Sequence, residues 1–279
     1  MSRIVVLTDL DGTLLDHDSY SFRRALPALD LLSRRNVSVV PVSSKTSAEM
    51  TQWMNHLCLK GPFICENGCG IVIPVGYFSA EVKDARKEGD LLKLSLGTGI
   101  DEIRRALDEI ALEIGVNLIG YGSMSSNEIS DATGLKGEEL ISSIQREYDE
   151  PFLIDGPCDF ETLRSSAGSR GLTVLRGGRF YHLINHCDKG SASSILLDLY
   201  RKEYGEIRVI GLGDSANDLD LLKVVDMPFV VQRPDGTYDP QIPEDVALRI
   251  PGIGPNGWRI AIERFFAGEN TGGAKGSEK

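Results

Sequence analysis

The sequence predicts an α/β protein, with a Rossmann-like parallel-sheet core interrupted by an inserted α+β cap domain. Three observations predict it. Short apolar runs alternate with helix-length stretches at both ends of the chain, the pattern of right-handed βαβ crossovers in a parallel sheet. Acidic clusters follow two of those runs directly: Asp9-Leu10-Asp11-Gly12-Thr13 after Ile4-Val5-Val6-Leu7, and Gly213-Asp214-Ser215-Ala216-Asn217-Asp218 after Val209-Ile210-Gly211-Leu212. Ligands of open parallel sheets collect at such strand ends. The middle of the chain, finally, loses the β-then-α alternation and mixes half-exposed strands with amphipathic helices. The expected division is therefore a core of residues 1–81 and 186–267, a cap of 82–185, and a disordered tail of 268–279, where Gly, Ser, Lys and Glu dominate.

Taken in order, Ile4–Thr8 reads as a buried strand, 21–34 as a helix, Val37–Val42 as the next strand, and a helix starts near Thr46. Phe63–Cys65 and Ile71–Ile73 read as short strands around an Asn67-Gly68 turn. In the cap, Leu91–Leu96 alternates like a half-exposed strand, and Asp101–Ile114 places Ile103, Leu107, Ile110 and Ile114 on one helix face. Val116–Gly120 is a strand, 125–133 and 137–147 are polar helices, and strands lie near 152–154, 173–175 and 180–185, with a helix over 160–167. The core resumes with a helix over 191–204, the strand Ile207–Leu212, a helix over 216–225, the strand Phe229–Gln232 and a last helix near 258–266.

Composition excludes several classes. The 279 residues suffice for one large domain or two modest ones, and 41% hydrophobic with 25% charged residues is ordinary for a globular enzyme. A net charge of −11 argues against nucleic acid. It would also repel an anionic substrate, so local cations such as Lys45 and Lys189 and a metal must reverse the field at the site. No run is long enough to span a membrane, no secretory signal opens the chain, and cysteines 58, 65, 69, 158 and 187 show neither zinc nor disulfide spacing. Reduced thiols in a cytoplasmic protein are the expectation, with Cys65 and Cys69 as small buried residues near a turn.

The carboxylates carry the chemistry. Asp9 is the candidate nucleophile: attack on phosphorus gives an acyl phosphate that water then cleaves. Asp11 can protonate the leaving oxygen and then activate that water. Gly12 permits a tight turn, and Thr13 can hold a phosphate oxygen. Ser43 closes the second strand, where its hydroxyl either donates to the phosphoryl group or caps the following helix, a job open to Ser44 or Thr46 as well. Lys189 stands before a helix, where the dipole disfavours a cation, so it calls for an anion nearby. Asp214 and Asp218 lie across one strand-to-helix turn. With Asp9 and the Asp11 carbonyl they offer hard oxygen ligands suited to Mg²⁺. A solvated acidic loop explains either aspartate alone but not the whole set.

At these residues the chain resembles the haloacid dehalogenase superfamily: Asp9-Leu10-Asp11-Gly12-Thr13 matches its first motif, Ser43 its second, Lys189 its third and Gly213–Asp218 its fourth. An insert placed between Ser43 and Lys189 resembles the type with a large α+β cap. Within it, Val42-Ser43-Ser44-Lys45-Thr46, Glu66-Asn67-Gly68, Arg146-Glu147-Tyr148-Asp149-Glu150-Pro151-Phe152 and Gly177-Gly178-Arg179-Phe180-Tyr181-His182-Leu183 resemble the mannosyl-3-phosphoglycerate phosphatases. Ile184-Asn185-His186 departs from that pattern, where a glycine is expected.

The resemblance implies Mg²⁺-dependent hydrolysis of a glycosyl-3-phosphoglycerate to a glycosylglycerate, a compatible solute. It also implies that Gly12, Thr13, Ser44, Lys45, Asn67, Arg179 and His182 bind substrate and that a cap closes over it. Such a substrate carries phosphate, carboxylate and sugar hydroxyls. Arg179 and His182, three apart on a strand, face opposite sides unless a bulge intervenes; Arg179 is favoured as the fork for the carboxylate, His182 otherwise being a packed strand residue. Glu147 and Asp149 are either sugar ligands or solvated charges. Rival functions are a broad sugar-phosphate phosphatase, a sugar phosphomutase reusing the aspartyl phosphate, and a non-enzymatic binding module.

Overall fold

The computed structural model describes residues 2–176 and 180–272, the last four as backbone only. In chain order the elements are β1 (Arg3–Thr8), α1 (Leu26–Arg34), β2 (Ser38–Pro41), α2 (Ser47–His56), β3 (Phe63–Cys65), β4 (Gly70–Pro74), β5 (Arg86–Glu88), β6 (Leu91–Ser95), α3 (Ile100–Ile114) and β7 (Asn117–Gly120). There follow α4 (Ser126–Thr133), α5 (Gly137–Ile144), β8 (Asp149–Asp155), α6 (Phe160–Ser169), β9 (Leu172–Arg176), β10 (Tyr181–Asn185), α7 (Lys189–Tyr204), β11 (Ile207–Gly213), α8 (Leu219–Lys223), β12 (Met227–Gln232), β13 (Leu248–Ile253) and α9 (Gly254–Gly272).

The chain forms two compact units. The first holds residues 1–43, 76–82 and 189 onward, built on a five-stranded sheet in the order β13-β12-β11-β1-β2, every pair parallel. Parallel strands are covered on both faces, which is why β1 and β11 carry continuous apolar runs, with Val5, Val6, Leu7, Val209, Ile210 and Leu212 buried. Trp258 of α9, fully buried, donates its indole N–H to Thr8 Oγ1 at 2.9 Å. The Thr8 hydroxyl in turn donates to the Asp9 carbonyl at 2.7 Å, so the last helix is tied to the strand end that bears Asp9.

The second unit holds residues 44–75 and 83–188. It contains two antiparallel four-stranded sheets, β3-β4-β6-β5 and β7-β8-β10-β9. Of the predicted α3 face, Ile103, Leu107 and Ile110 are buried against Phe152, Leu163 and Leu183, while Ile114 packs at the rim. Each such fully buried side chain contributes about 1.5–3 kcal/mol.

The mixed α/β class and the parallel core stand as predicted; several details differ. Residues 44–75, assigned above to the core, group with the second unit, because β4 pairs with β6 and makes the β3–β4 hairpin part of that sheet. The first helix begins at Leu26 rather than residue 21, since Pro27 sits in its first turn and suits a helix start. The helix expected over 137–147 stops at Ile144, and the 216–225 helix is a 3₁₀ turn, Ala216–Asp218, followed by α8. Strands β5 and β13 were not predicted; their alternation is broken by charge and by Pro251. The last helix runs to Gly272, into the expected tail, because Phe265 and Phe266 are buried and further turns propagate at low cost once a helix is anchored. Two thiols expected to be reduced are joined: Cys69 and Cys187 form a disulfide with Cα atoms 5.2 Å apart. Their separation of 118 residues gives no local spacing to read. No described helix is long and apolar enough to cross a membrane.

Candidate active site

In the first unit, β1, β2 and β11 run parallel, and the loops leaving their C-terminal ends carry Asp9, Ser43 and Asp214. The Asp9 amide donates to Leu212 O at 2.9 Å and Val42 N to Thr8 O at 2.8 Å, so sheet-like pairing persists to the edge of the site. The turn after Asp9 is closed by Gly12 N to Leu15 O (3.0 Å) and Leu15 N to Leu10 O (2.8 Å). Gly12 has φ +81°, and a Cβ there would lie 2.8 Å from Asp214 Oδ2. Only glycine serves both demands.

Lys189, the first residue of α7, is buried and donates to Asp9 Oδ1 and to Asp218 Oδ1, each at 2.6 Å. Asp218 Oδ2 accepts from Asp214 N (3.0 Å) and Ser215 N (3.3 Å). Thr13 donates its hydroxyl to Asp214 Oδ1 at 3.2 Å. One carboxylate oxygen from each of Asp9, Asp214 and Asp218 falls within 4.8 Å of the others. Three carboxylates face one ammonium. Burial pushes Asp9 well above the usual carboxylate range, Lys189 opposes the rise, and Asp218, Asp214 and Asp11 reinforce it. Burial and Asp218 lift Asp214 to about 6. Burial works against the Lys189 charge, but Asp218 and Asp9 outweigh it and hold the ammonium above its usual range. An oxygen cage with excess negative charge suits a hard divalent cation.

Residues 6–82 match the model of the haloacid dehalogenase-like hydrolases. Over 273 residues the chain is 40% identical to the glucosyl-3-phosphoglycerate/mannosyl-3-phosphoglycerate phosphatase of Methanococcoides burtonii, covering 96% of this chain and 98% of that one. The chain belongs to the haloacid dehalogenase-like hydrolases. It is also 37% identical to the mannosyl-3-phosphoglycerate phosphatase of Pyrococcus furiosus over 227 residues, 81% of this chain and 90% of the relative. A crystal structure of a Thermoplasma acidophilum protein aligns with a TM-score of 0.65 at 21% identity, covering 96% of this chain and 99% of that one, a likeness of fold. With such relatives over nearly its full length, this hydrolase is a phosphoric monoester hydrolase.

Of the residues singled out in the sequence of the hydrolase, the structure brings together Asp9, Thr13, Lys189, Asp214 and Asp218, with Gly12 against Asp214. Ser43 is fully buried at the end of β2, and Asp11 is half-buried in the turn after β1. Ser44, Lys45, Asn67 and His182 belong to the second unit, and Arg179 lies outside the described residues.

Within the second unit, described residues from the stretches of closer resemblance (Ser44, Lys45, Glu66, Arg146–Asp149 and His182) are joined by hydrogen bonds. Arg146, partly buried, donates to Ser44 O (3.1 Å) and Asp149 Oδ2 (3.1 Å). His182 Nδ1 lies 2.9 Å from Asp149 Oδ2 and 3.0 Å from Oδ1. Glu66 N donates to Lys45 O, while the Glu66 carboxylate accepts from Glu147 N (2.9 Å) and Tyr148 N (2.8 Å). Asn67, at φ +56°, is buried beside it. Asp149 is therefore neither a solvated charge nor a free sugar ligand: it is fully buried, and His182 and Arg146 outweigh its burial and hold its carboxyl below the usual range. With an ionised acceptor on Nδ1, that nitrogen carries the proton, and Nε2 is left for other partners. Glu147 pairs with Lys93 at 3.0 Å. Glu66 was noted only within a stretch of resemblance; its carboxylate, buried between two amides, was not foreseen because acidic residues at turns are ordinarily exposed.

Proposed function

We propose that this hydrolase removes phosphate from mannosyl-3-phosphoglycerate or glucosyl-3-phosphoglycerate, releasing the glycosylglycerate, with Asp9 as nucleophile. The observation that carries the chemistry is the buried Lys189 ammonium shared by Asp9 and Asp218 beside Asp214. In the first step an Asp9 carboxylate oxygen bonds to phosphorus as the ester P–O bond breaks, and Asp11 gives its proton to the departing oxygen. In the second, Asp11 takes a proton from water, the water oxygen bonds to phosphorus, and the bond to Asp9 breaks, freeing phosphate. Lys189, Thr13 and Ser43 are suited to hold phosphoryl oxygens through these steps, charge stabilisation being the main demand of phosphoryl transfer.

The trio of carboxylates, with one ammonium among them, fits a divalent cation, and Gly12 keeps the space beside Asp214 open. Asp9, Asp214, Asp218 and the Asp11 carbonyl would hold Mg²⁺, which when bound supplies positive charge to the anionic phosphoryl group. Recognition of the sugar and glycerate groups is assigned to Ser44, Lys45, Asn67, Arg179 and His182. The substrate itself is supported by the names of relatives that are similar along nearly the whole chain.

Phosphate release, measured on mannosyl- and glucosyl-3-phosphoglycerate beside simple hexose phosphates, tests the reading. A kcat/KM at least about tenfold higher for the glycosylated phosphoglycerates is expected. Equal values would leave a broad sugar-phosphate phosphatase, and conversion without phosphate release a mutase.

A further inference from the structure

Asp239 follows β12, and no step above uses it. The residue is nearly buried, with 6% of its surface exposed. Its Oδ1 accepts from Gln241 N at 2.8 Å, and its Oδ2 accepts from Ala216 N at 3.2 Å. Ala216 stands midway along the loop from Asp214 to Asp218. Three successive amides of that loop thus end on carboxylates: Asp214 N and Ser215 N on Asp218, Ala216 N on Asp239. The first two bonds are internal to the loop. The third ties the loop's backbone to another segment, as Thr13 and Lys189 tie the side chains of Asp214 and Asp218.

The turn that delivers Asp239 is itself closely built. Arg233 N donates to Thr237 O and Gly236 N to Arg233 O, both at 2.8 Å, with Gly236 at φ +79°. Thr237 donates its amide (2.9 Å) and hydroxyl (2.7 Å) to Asp235 Oδ1, and Gln232 Nε2 donates to Gly236 O at 2.7 Å. Arg233 Nη1 lies 3.8 Å from Asp239 Oδ2, an ion-pair distance too long for it to donate a hydrogen bond. Strands β11 and β12 are parallel neighbours with Gly213 opposite Val230, so both loops leave the same sheet edge.

We propose that Asp239 is a positioning residue for the Asp214–Asp218 loop: by fixing the Ala216 N–H it sets the backbone from which both aspartates project and so raises affinity for Mg²⁺. The inference rests on the metal assignment above. A loop held in its binding geometry avoids the ordering cost on binding, and partners behind metal ligands commonly change affinity by about 10–100-fold.

The test is calorimetric titration of Mg²⁺ into EDTA-treated, substrate-free protein. D239A is expected to bind about tenfold more weakly, having lost the acceptor for the partly buried Ala216 N–H. D239N, whose single side-chain oxygen serves one of two amides, should fall between D239A and the parent. An unchanged Mg²⁺ dissociation constant in both variants overturns the proposal, as does a D239A variant that loses kcat with unaltered Mg²⁺ binding. If D239A does not fold, D239N decides alone: weaker binding supports the role and parental binding overturns it. A parent that binds no Mg²⁺ fails the metal assignment first, a result read in a different arm, and this proposal falls with it.

Discussion

Lys189 opens its own helix and still places Nζ 2.6 Å from Asp9 Oδ1. A cation in a first helical turn opposes the dipole, so the attraction of Asp9 and Asp218 must exceed that penalty. Lys189→Ala leaves three buried carboxylates facing one another. It is expected to destabilise the metal-free protein by about 3–5 kcal/mol in urea unfolding in EDTA. Unchanged stability would show that the carboxylates neutralise themselves by taking up protons.

Asp9→Asn should cut phosphate release by at least about 10³-fold, because the neutral amide cannot attack phosphorus. Retained activity would remove Asp9 from the nucleophile role. Mass measurement of the quenched parent reaction, compared with Asp9→Asn, locates the phosphoryl adduct independently of rate.

Gly12→Ala is a geometric test. The left-handed φ of +81° costs an alanine roughly 1–2 kcal/mol, and its Cβ meets Asp214 Oδ2 at 2.8 Å. Activity should fall by about 10–100-fold with the fold retained by circular dichroism, since displacing one carboxylate misplaces the reacting groups.

His182 and Asp149 permit a specificity test. His182→Ala should raise KM for a glycosyl-3-phosphoglycerate by about tenfold, the worth of one charge-assisted hydrogen bond, and leave hydrolysis of p-nitrophenyl phosphate unaltered. Asp149→Asn should shift the imidazole ¹⁵N resonances of His182, reporting loss of the fixed Nδ1–H, which a merely packed histidine would not show. An equal loss on both substrates would make His182 structural.

Glu66 gives the protein a pH dependence of a defined sign. Burial lifts its carboxyl from an ordinary 4.5 to about 7, with Arg146 and the two amide donors limiting the rise. Between those values the folded state holds a proton that the unfolded chain has released. Stability therefore falls as pH rises from 4.5 to 7, by about 3 kcal/mol, and this group adds no slope outside that window. Glu66→Gln should flatten that part of the curve in urea unfolding. Parallel curves for the two proteins would refute the assignment.

What the sequence disclosed, and what it hid, follows from the range of the interactions. Asp9, Asp214 and Lys189 were legible because each borders an apolar run whose strand or helix character is local, and strand ends are where parallel sheets gather groups. The parallel core was legible for the same reason. The Cys69–Cys187 bond, the membership of residues 44–75 in the second unit, and the reach of Asp239 to Ala216 were not, since each joins segments that local periodicity cannot relate. The Arg146–Asp149 stretch was noticed, but the burial of Asp149 was not: a charged run reads as solvated until a partner such as His182 appears across the sheet.

The bond between Cys69 and Cys187 turns the intervening chain into a closed covalent ring. A protease cut anywhere inside that ring opens the backbone without freeing a fragment. On a non-reducing gel the nicked protein would keep its full mass, and only a reductant would part it in two. A single cut between Cys69 and Cys187 can thus be followed without loss of material, and damage there would escape any assay that counts intact molecules by size alone.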